Sequence, residues 1–176
     1  PFGKFLLNTF KIAFLDTFGT VLVSALAAYA FARLHFKGKN LVFGLLLATM
    51  MIPYIVRVIP LFVMLRVLGW VNTHYALIVP PMLSNVFGVF LLRQFFMTLP
   101  NELDEAALMD GSSYVGIFWR ILMPLSKPAL ATLALFTFRT SWNQFLPALI
   151  FLRTRSKQVI TVGLTTFQDE FNVQWH

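Results

Sequence analysis

Leu99-Pro-Asn-Glu-Leu-Asp-Glu-Ala-Ala-Leu-Met-Asp-Gly111 holds Glu102, Asp104, Glu105 and Asp110, four of the chain's seven acidic residues, between two long apolar runs. Asn101 suits a helix N-cap. Glu102 and Asp104 then fall in a first turn whose dipole favours anions, and the residues up to Asp110 are good helix formers. Gly111 suits the position just past the helix, where the backbone turns left-handed. Ser112 or Ser113 can cap a second helix over 114–122, and Pro124 marks a further change of direction. The stretch therefore predicts a helix, a tight turn and a second helix, placed outside the layer that the flanking runs occupy.

Those runs belong in a bilayer. Of 176 residues 58% are hydrophobic and 12% charged, with the charges gathered between apolar segments, and mean hydropathy is +0.75. A crossing helix needs about 20 mainly apolar residues, which predicts four spans at about 12–32, 40–65, 75–96 and 128–152. The first has Asp16 near its start and a small-residue stripe, Ser24, Ala28 and Ala32, suited to close helix packing. The second is expected to be broken, because Pro53 and Pro60 remove backbone hydrogen bonds; a gate and static packing both fit it. The third has Pro80-Pro81 in its first turns, and the fourth is interrupted by Arg139 and Pro147. Segments 97–127 and 153–176 are then loops of a single membrane domain with no internal repeat.

Several function classes drop out. With no cysteine there is neither a disulfide nor a thiolate metal site, and His35, His74 and His176 lie too far apart in sequence to predict a metal centre. The net charge of +7 is scattered between apolar runs, which points to membrane lipid and not to nucleic acid. No G-x-x-x-x-G-K-[ST] phosphate loop is present, so ATP hydrolysis is not expected of this chain. Six basic residues on one predicted side against seven on the other leave the orientation open. Without an initiator Met or a signal-peptide pattern, both ends are expected to continue into a longer protein.

Two groups of residues are candidates for function. On the first short helix Leu103, Ala106, Ala107 and Asp110 share one side, suited either to insertion into a groove or to lying on the membrane. In the fourth span Arg139 must face protein or water. Thr132 and Asn143 share its face, with Trp142 beside them; these groups suit a hydroxyl-rich solute, and equally suit bonding to neighbouring helices.

Glu105-Ala106-Ala107, three residues, Gly111, nine residues and Ile121-x-Met123-Pro124 together resemble the EAA loop of ABC-importer permeases, in which only Met123 departs by replacing Leu. Ala27-Ala-Tyr-Ala-Phe-Ala-Arg33, Met51-Ile-Pro53 with Ile59-Pro-Leu61, Arg93-Gln-Phe-Phe96 and Ser141-Trp-Asn-Gln-Phe-Leu146 resemble its carbohydrate branch, the maltose-type permeases. The resemblance covers nearly the whole chain. It implies an all-α membrane protein, a polytopic helical bundle of the type I ABC importer permease fold, with about four of an expected six spans here. It implies a bacterial or archaeal inner membrane and a cytoplasmic loop seated in a cleft of an ATP-binding subunit, which would itself hold ATP and Mg. A second permease subunit and an extracytoplasmic solute-binding protein are the other implied partners, the latter near Gly163-Leu-x-x-Phe167. Coupling to the ATPase would fall to Leu103, Glu105, Ala106, Ala107, Asp110, Gly111 and Pro124, with Glu105 as the acidic contact and Gly111 as the turn. The expectation is a transporter subunit, not an enzyme, forming half of a pathway for a sugar or oligosaccharide. A permease for another polar solute, such as a glycerol phosphate or polyol, is the alternative within transport, and a membrane scaffold or channel not coupled to ATP is the alternative outside it.

Overall fold

The computed structural model describes residues 2–170, with side chains to position 165, and every regular element among them is helical. The order is α1 Phe2–Arg33, α2 Lys39–Ala48 running into a 3-10 turn at Thr49–Met51, α3 Tyr54–Val67, α4 Tyr75–Ser84, α5 Val86–Thr98 and α6 Glu102–Met109. Then come α7 Tyr114–Ile117, a π-helical turn Phe118–Leu122, α8 Met123–Leu125, α9 Lys127–Trp142, α10 Leu146–Phe151, a 3-10 turn Arg155–Lys157 and α11 Ile160–Glu170. Among the described residues, Phe2–Arg33 and Tyr75–Thr98 are long and apolar enough to cross a membrane, and up to four stretches are if two bent pairs each count as one. The pairs are Lys39–Met51 with Tyr54–Val67, and Tyr114–Leu125 with Lys127–Trp142. Residues 114–125, expected within a connecting loop, are thus apolar enough to join α9.

Helix boundaries depart from the sequence expectation where charge and proline act differently on a helix and on a membrane span. α1 starts ten residues before position 12, because Lys4 and Lys11 are exposed and limit burial in lipid without opposing helical geometry. Of the two prolines in the second run only Pro53 breaks it. Ile52 is extended there (φ −84°, ψ 113°), as a residue before proline prefers, whereas α3 runs through Pro60 on an exposed face. Pro80 and Pro81 lie in the middle of α4 and not in its first turn; the helix stops at Ser84, and Asn85 caps α5 by accepting the Gly88 N–H at 2.7 Å. α9 passes Arg139 unbroken. It ends at Trp142, where the Asn143 amide donates to the Arg139 carbonyl at 2.7 Å, and α10 resumes with Pro147 near its start. Segment 153–176, expected as a loop, contains α11; positions 171–176 lie outside the described residues.

The chain divides into two compact units. One comprises the residues through Gly19, Pro53–Ser84 and those from Phe136 onward. Its core gathers Ile12, Leu65, Leu77, Phe151, Val159 and Val162. Asn72, at φ 62°, ties its loops together: its carboxamide oxygen accepts the N–H groups of Arg153 and Thr154, and its amide donates to the Thr154 hydroxyl. Asparagine is among the few residues besides glycine that visit this left-handed backbone, and here its side chain is held by the distant 153–154 loop.

The other unit comprises Thr20–Ile52 and Asn85–Leu135. Ala25, Ala28, Tyr29, Leu92, Phe96, Ala107 and Leu122 are among its core residues. The small-residue stripe serves close packing as expected: Ser24 and Ala28 are buried, and a Cβ built on Gly88 would stand 2.6 Å from the Ser24 hydroxyl. Large apolar side chains remain outside in number, including Ile55, Ile59, Val63 and Val67 on α3. A chain surrounded only by water does not leave so continuous an apolar surface uncovered.

Candidate functional site

In the second unit, α6 and the turn after it are closed by two backbone hydrogen bonds. The Ser112 N–H bonds the Ala107 carbonyl at 2.9 Å and the Gly111 N–H bonds the Leu108 carbonyl at 3.0 Å, with Gly111 at φ 82°. This pair of bonds satisfies two of the orphan carbonyls at the helix end, and the left-handed residue between them has to be glycine or something close to it. Ser113 then caps the next helix by accepting the Gly116 N–H at 3.1 Å. Pro124 lies within the helix; the change of direction, 78°, comes two residues later between Leu125 and Lys127. A widened π turn at Phe118–Leu122 ends two residues before Pro124, whose missing N–H leaves the regular hydrogen-bond ladder incomplete there.

The side chains expected to share one face of α6 are divided by the fold. Ala107 is buried in the core of its own unit, whereas Leu103, Glu105, Ala106 and Asp110 are exposed. Met109, Tyr114, Val115 and Trp119 add exposed apolar surface on the same helix–turn–helix element. The N-terminus of α6 also differs from expectation, because the Asn101 side chain makes no cap hydrogen bond. Its oxygen accepts instead from Arg33, the last residue of α1. Arg33 further donates to the Leu99 carbonyl at 2.8 Å, and its Nε stands 3.4 Å from the Asp104 carboxylate. Burial pushes the Asp104 carboxyl above the usual carboxylate range, and the neighbouring Arg33 charge offsets this only in part. Tyr29, one helical turn earlier on α1, donates its hydroxyl to the Tyr114 carbonyl at 3.1 Å and packs on Phe118 with ring centroids 5.3 Å apart. α1 thus supports both arms of the element through Arg33 and Tyr29, two residues to which the sequence alone assigned no such role.

Three of the four candidate solute-path residues come together in the first unit. Arg139, Trp142 and Asn143 line a shallow groove of about 470 Å³ with Phe10 and Phe138. Phe138 stacks on Trp142 at 5.5 Å and meets Phe10 edge-on at 6.5 Å. Thr132 belongs to the second unit, and its hydroxyl donates to the Pro128 carbonyl of its own helix at 2.9 Å. Phe10 had no sequence signal, since Lys4 and Lys11 on either side make that stretch read as lying before the first span.

A family model described as binding-protein-dependent transport system inner membrane component matches residues 20–171. The chain belongs to this family. As a binding-protein-dependent transport component it is similar to the sulfoquinovosyl glycerol transport system permease protein SmoH of Agrobacterium fabrum, at 36% identity over 99% of this chain and 62% of the relative. The sn-glycerol-3-phosphate transport system permease protein UgpE of Yersinia pestis is 40% identical over 93% of this chain and 58% of its own length. The trehalose/maltose transport system permease protein MalG of Thermococcus litoralis is 40% identical over 95% and 60%. The chain spans about three fifths of the length of these curated relatives. A solved bacterial ABC transporter involved in the import of the acidic polysaccharide alginate shares the fold, with a TM-score of 0.84 at 26% identity, over 99% of this chain and 61% of that one. The all-helical type I ABC importer permease fold is therefore the fold of this chain.

Proposed function

We propose that this chain is part of the transmembrane permease subunit of an ATP-driven ABC importer in a bacterial or archaeal inner membrane, forming half of a pathway for a sugar or oligosaccharide. The helix–turn–helix element around Gly111 lies in the cytoplasm and docks into an ATP-binding subunit that holds ATP and Mg, while a second permease and an extracytoplasmic solute-binding protein complete the assembly. The observation carrying this reading is the outward surface of that element: Leu103, Glu105, Ala106 and Asp110 are exposed beside Met109 and Trp119 on a rigid, capped turn. An acidic contact with an apolar surround is the chemistry of a specific protein interface. In the full-length subunit Glu105→Lys is expected to insert normally and to lose co-purification with the ATP-binding subunit, because a favourable charge contact becomes repulsive. Undiminished co-purification and uptake would count against the docking assignment.

A second reading is a polar solute carrying an anionic group, such as a glycerol phosphate. The exposed Arg139 beside Trp142 and Asn143 in the groove favours it, as do the relatives named for sulfoquinovosyl glycerol and glycerol phosphate. Solute-stimulated ATP hydrolysis in the reconstituted complex, compared between neutral sugars and sn-glycerol 3-phosphate, separates the two; only the anionic solute should lose its stimulation in Arg139→Gln.

A further inference from the structure

We propose that Arg33 is a positioning residue that makes α6 and the end of α1 move as one body; this rests on the reading of α6 as the element that docks onto the ATPase. The side chain of Arg33 is only 5% exposed and that of Asp104 only 17%. Its guanidinium reaches three groups spread over the entry to α6: the Leu99 carbonyl at 2.8 Å, the Asn101 carboxamide oxygen, and the Asp104 carboxylate at 3.4 Å. Leu99 is the residue at which the backbone leaves α5 in an extended conformation, and Asp104 lies in the first turn of α6. One planar, multiply donating cation therefore spans the hinge and the helix it feeds, a task that the single ammonium point of lysine cannot perform.

Tyr29 ties α1 to the second arm through the Tyr114 carbonyl, and Arg33 makes the polar contacts to the entry of α6. Ala107, the buried residue of α6, adds a small apolar contact with the core and no polar one. Of the other cations in the unit, Arg93 donates to the Phe31 carbonyl and lies over the Phe43 ring, and Lys39 donates to the Leu34 carbonyl. Displacing α6 without α1 would strand a buried guanidinium away from its carboxylate, which is far costlier than shifting an alanine. A push on α6 is thereby delivered to the C-terminus of the 32-residue helix α1.

The test uses the full-length subunit assembled with its ATP-binding partner. Spin labels are placed through Leu26→Cys on α1 and Met109→Cys on α6, both exposed positions of a chain that contains no cysteine. With Arg33 intact the distance between the labels should stay constant when Mg-ATP and vanadate are added. In Arg33→Ala it should shift or broaden by about 2 Å, the size of an interface helix movement, and Arg33→Lys should fall between. Should Arg33→Ala not assemble, Arg33→Lys and Asp104→Asn are read in the same way, the latter keeping the shape of the carboxylate without its charge. A nucleotide-dependent shift in the intact subunit, or an unchanged distance in every assembled variant, overturns the proposal while leaving the importer reading standing. Failure of the unmutated subunit to co-purify with any ATP-binding subunit overturns the importer reading, and this proposal with it.

Discussion

Ser112 donates its backbone N–H to the carbonyl of Ala107 at 2.9 Å, and Ala107 is the residue of α6 whose side chain is buried in the core. Turn closure and core contact thus meet at a single position, so the geometry of the exposed face is fixed from below.

Gly111 is expected to tolerate asparagine and to reject valine. Nothing lies within 4 Å of a Cβ built there, so the cost is the left-handed backbone at φ 82° and not crowding. A β-branched side chain should cost about 1–2 kcal/mol, read as a lower Tm in detergent and as reduced uptake. Equal behaviour of Gly111→Val and Gly111→Asn would remove backbone conformation as the reason for glycine.

Neighbouring alanines should separate folding from docking. Ala107→Leu overfills the core and is expected to destabilise by about 1–3 kcal/mol. Ala106→Leu adds its methyl groups to an exposed surface, so Tm should hold while attachment of the ATP-binding subunit weakens. Thermal unfolding and pull-down on the same two variants check both halves.

Gly163 and Gly19 both lie in close contacts, yet their replacement by alanine should differ. A Cβ on Gly163 would stand 2.3 Å from the ring of Phe5, a side chain 1% exposed, whereas one on Gly19 would meet the flexible sulfur end of Met82. A buried ring has nowhere to turn, so Gly163→Ala should cost about 1–3 kcal/mol and Gly19→Ala distinctly less. A reversed order in Tm would show that Phe5 can move and Met82 cannot.

Acidification should loosen the loop held by His74, whose Nε2–H donates to the Lys157 carbonyl at 3.0 Å. Burial holds its pKa below the ordinary 6.5; the hydrogen bond acts the other way, and the charges of Lys11 and Lys157 lower it further. The fold favours the neutral ring, so this stability is fully present above the unfolded value near 6.5 and is lost as pH falls from there toward the folded value. Tm should drop on going from about pH 7.5 to 5.5, with a smaller drop in His74→Gln. An identical drop in the variant would place the pH dependence elsewhere.

The helix–turn–helix element around Gly111 was legible in one dimension because its signals are local. Capping serine, left-handed glycine and first-turn acids each act within four residues, and Ser113, Gly111 and Glu102 all sit as their types require. Contacts between distant positions were not legible. Nothing in the order of residues tells which flanking cation folds back onto a loop 66 to 71 positions away, as Arg33 does onto Leu99, Asn101 and Asp104. Amphipathic periodicity placed Ala106 and Ala107 on one side, but adjacent residues on a helix are about 100° apart and the core reaches only one of them. Proline misled in a similar way. The effect of Pro53 and Pro60 on the helix depends on which carbonyl goes unpaired and whether that face is covered, and this is set by tertiary packing.

The division of α6 into a buried alanine and an outward surface has an evolutionary consequence. Substitutions at Leu103, Glu105, Ala106 and Asp110 alter what a partner meets without disturbing the Ala107 contact or the Gly111 turn. The outward face can therefore change by surface drift alone, with the supporting framework inherited unchanged.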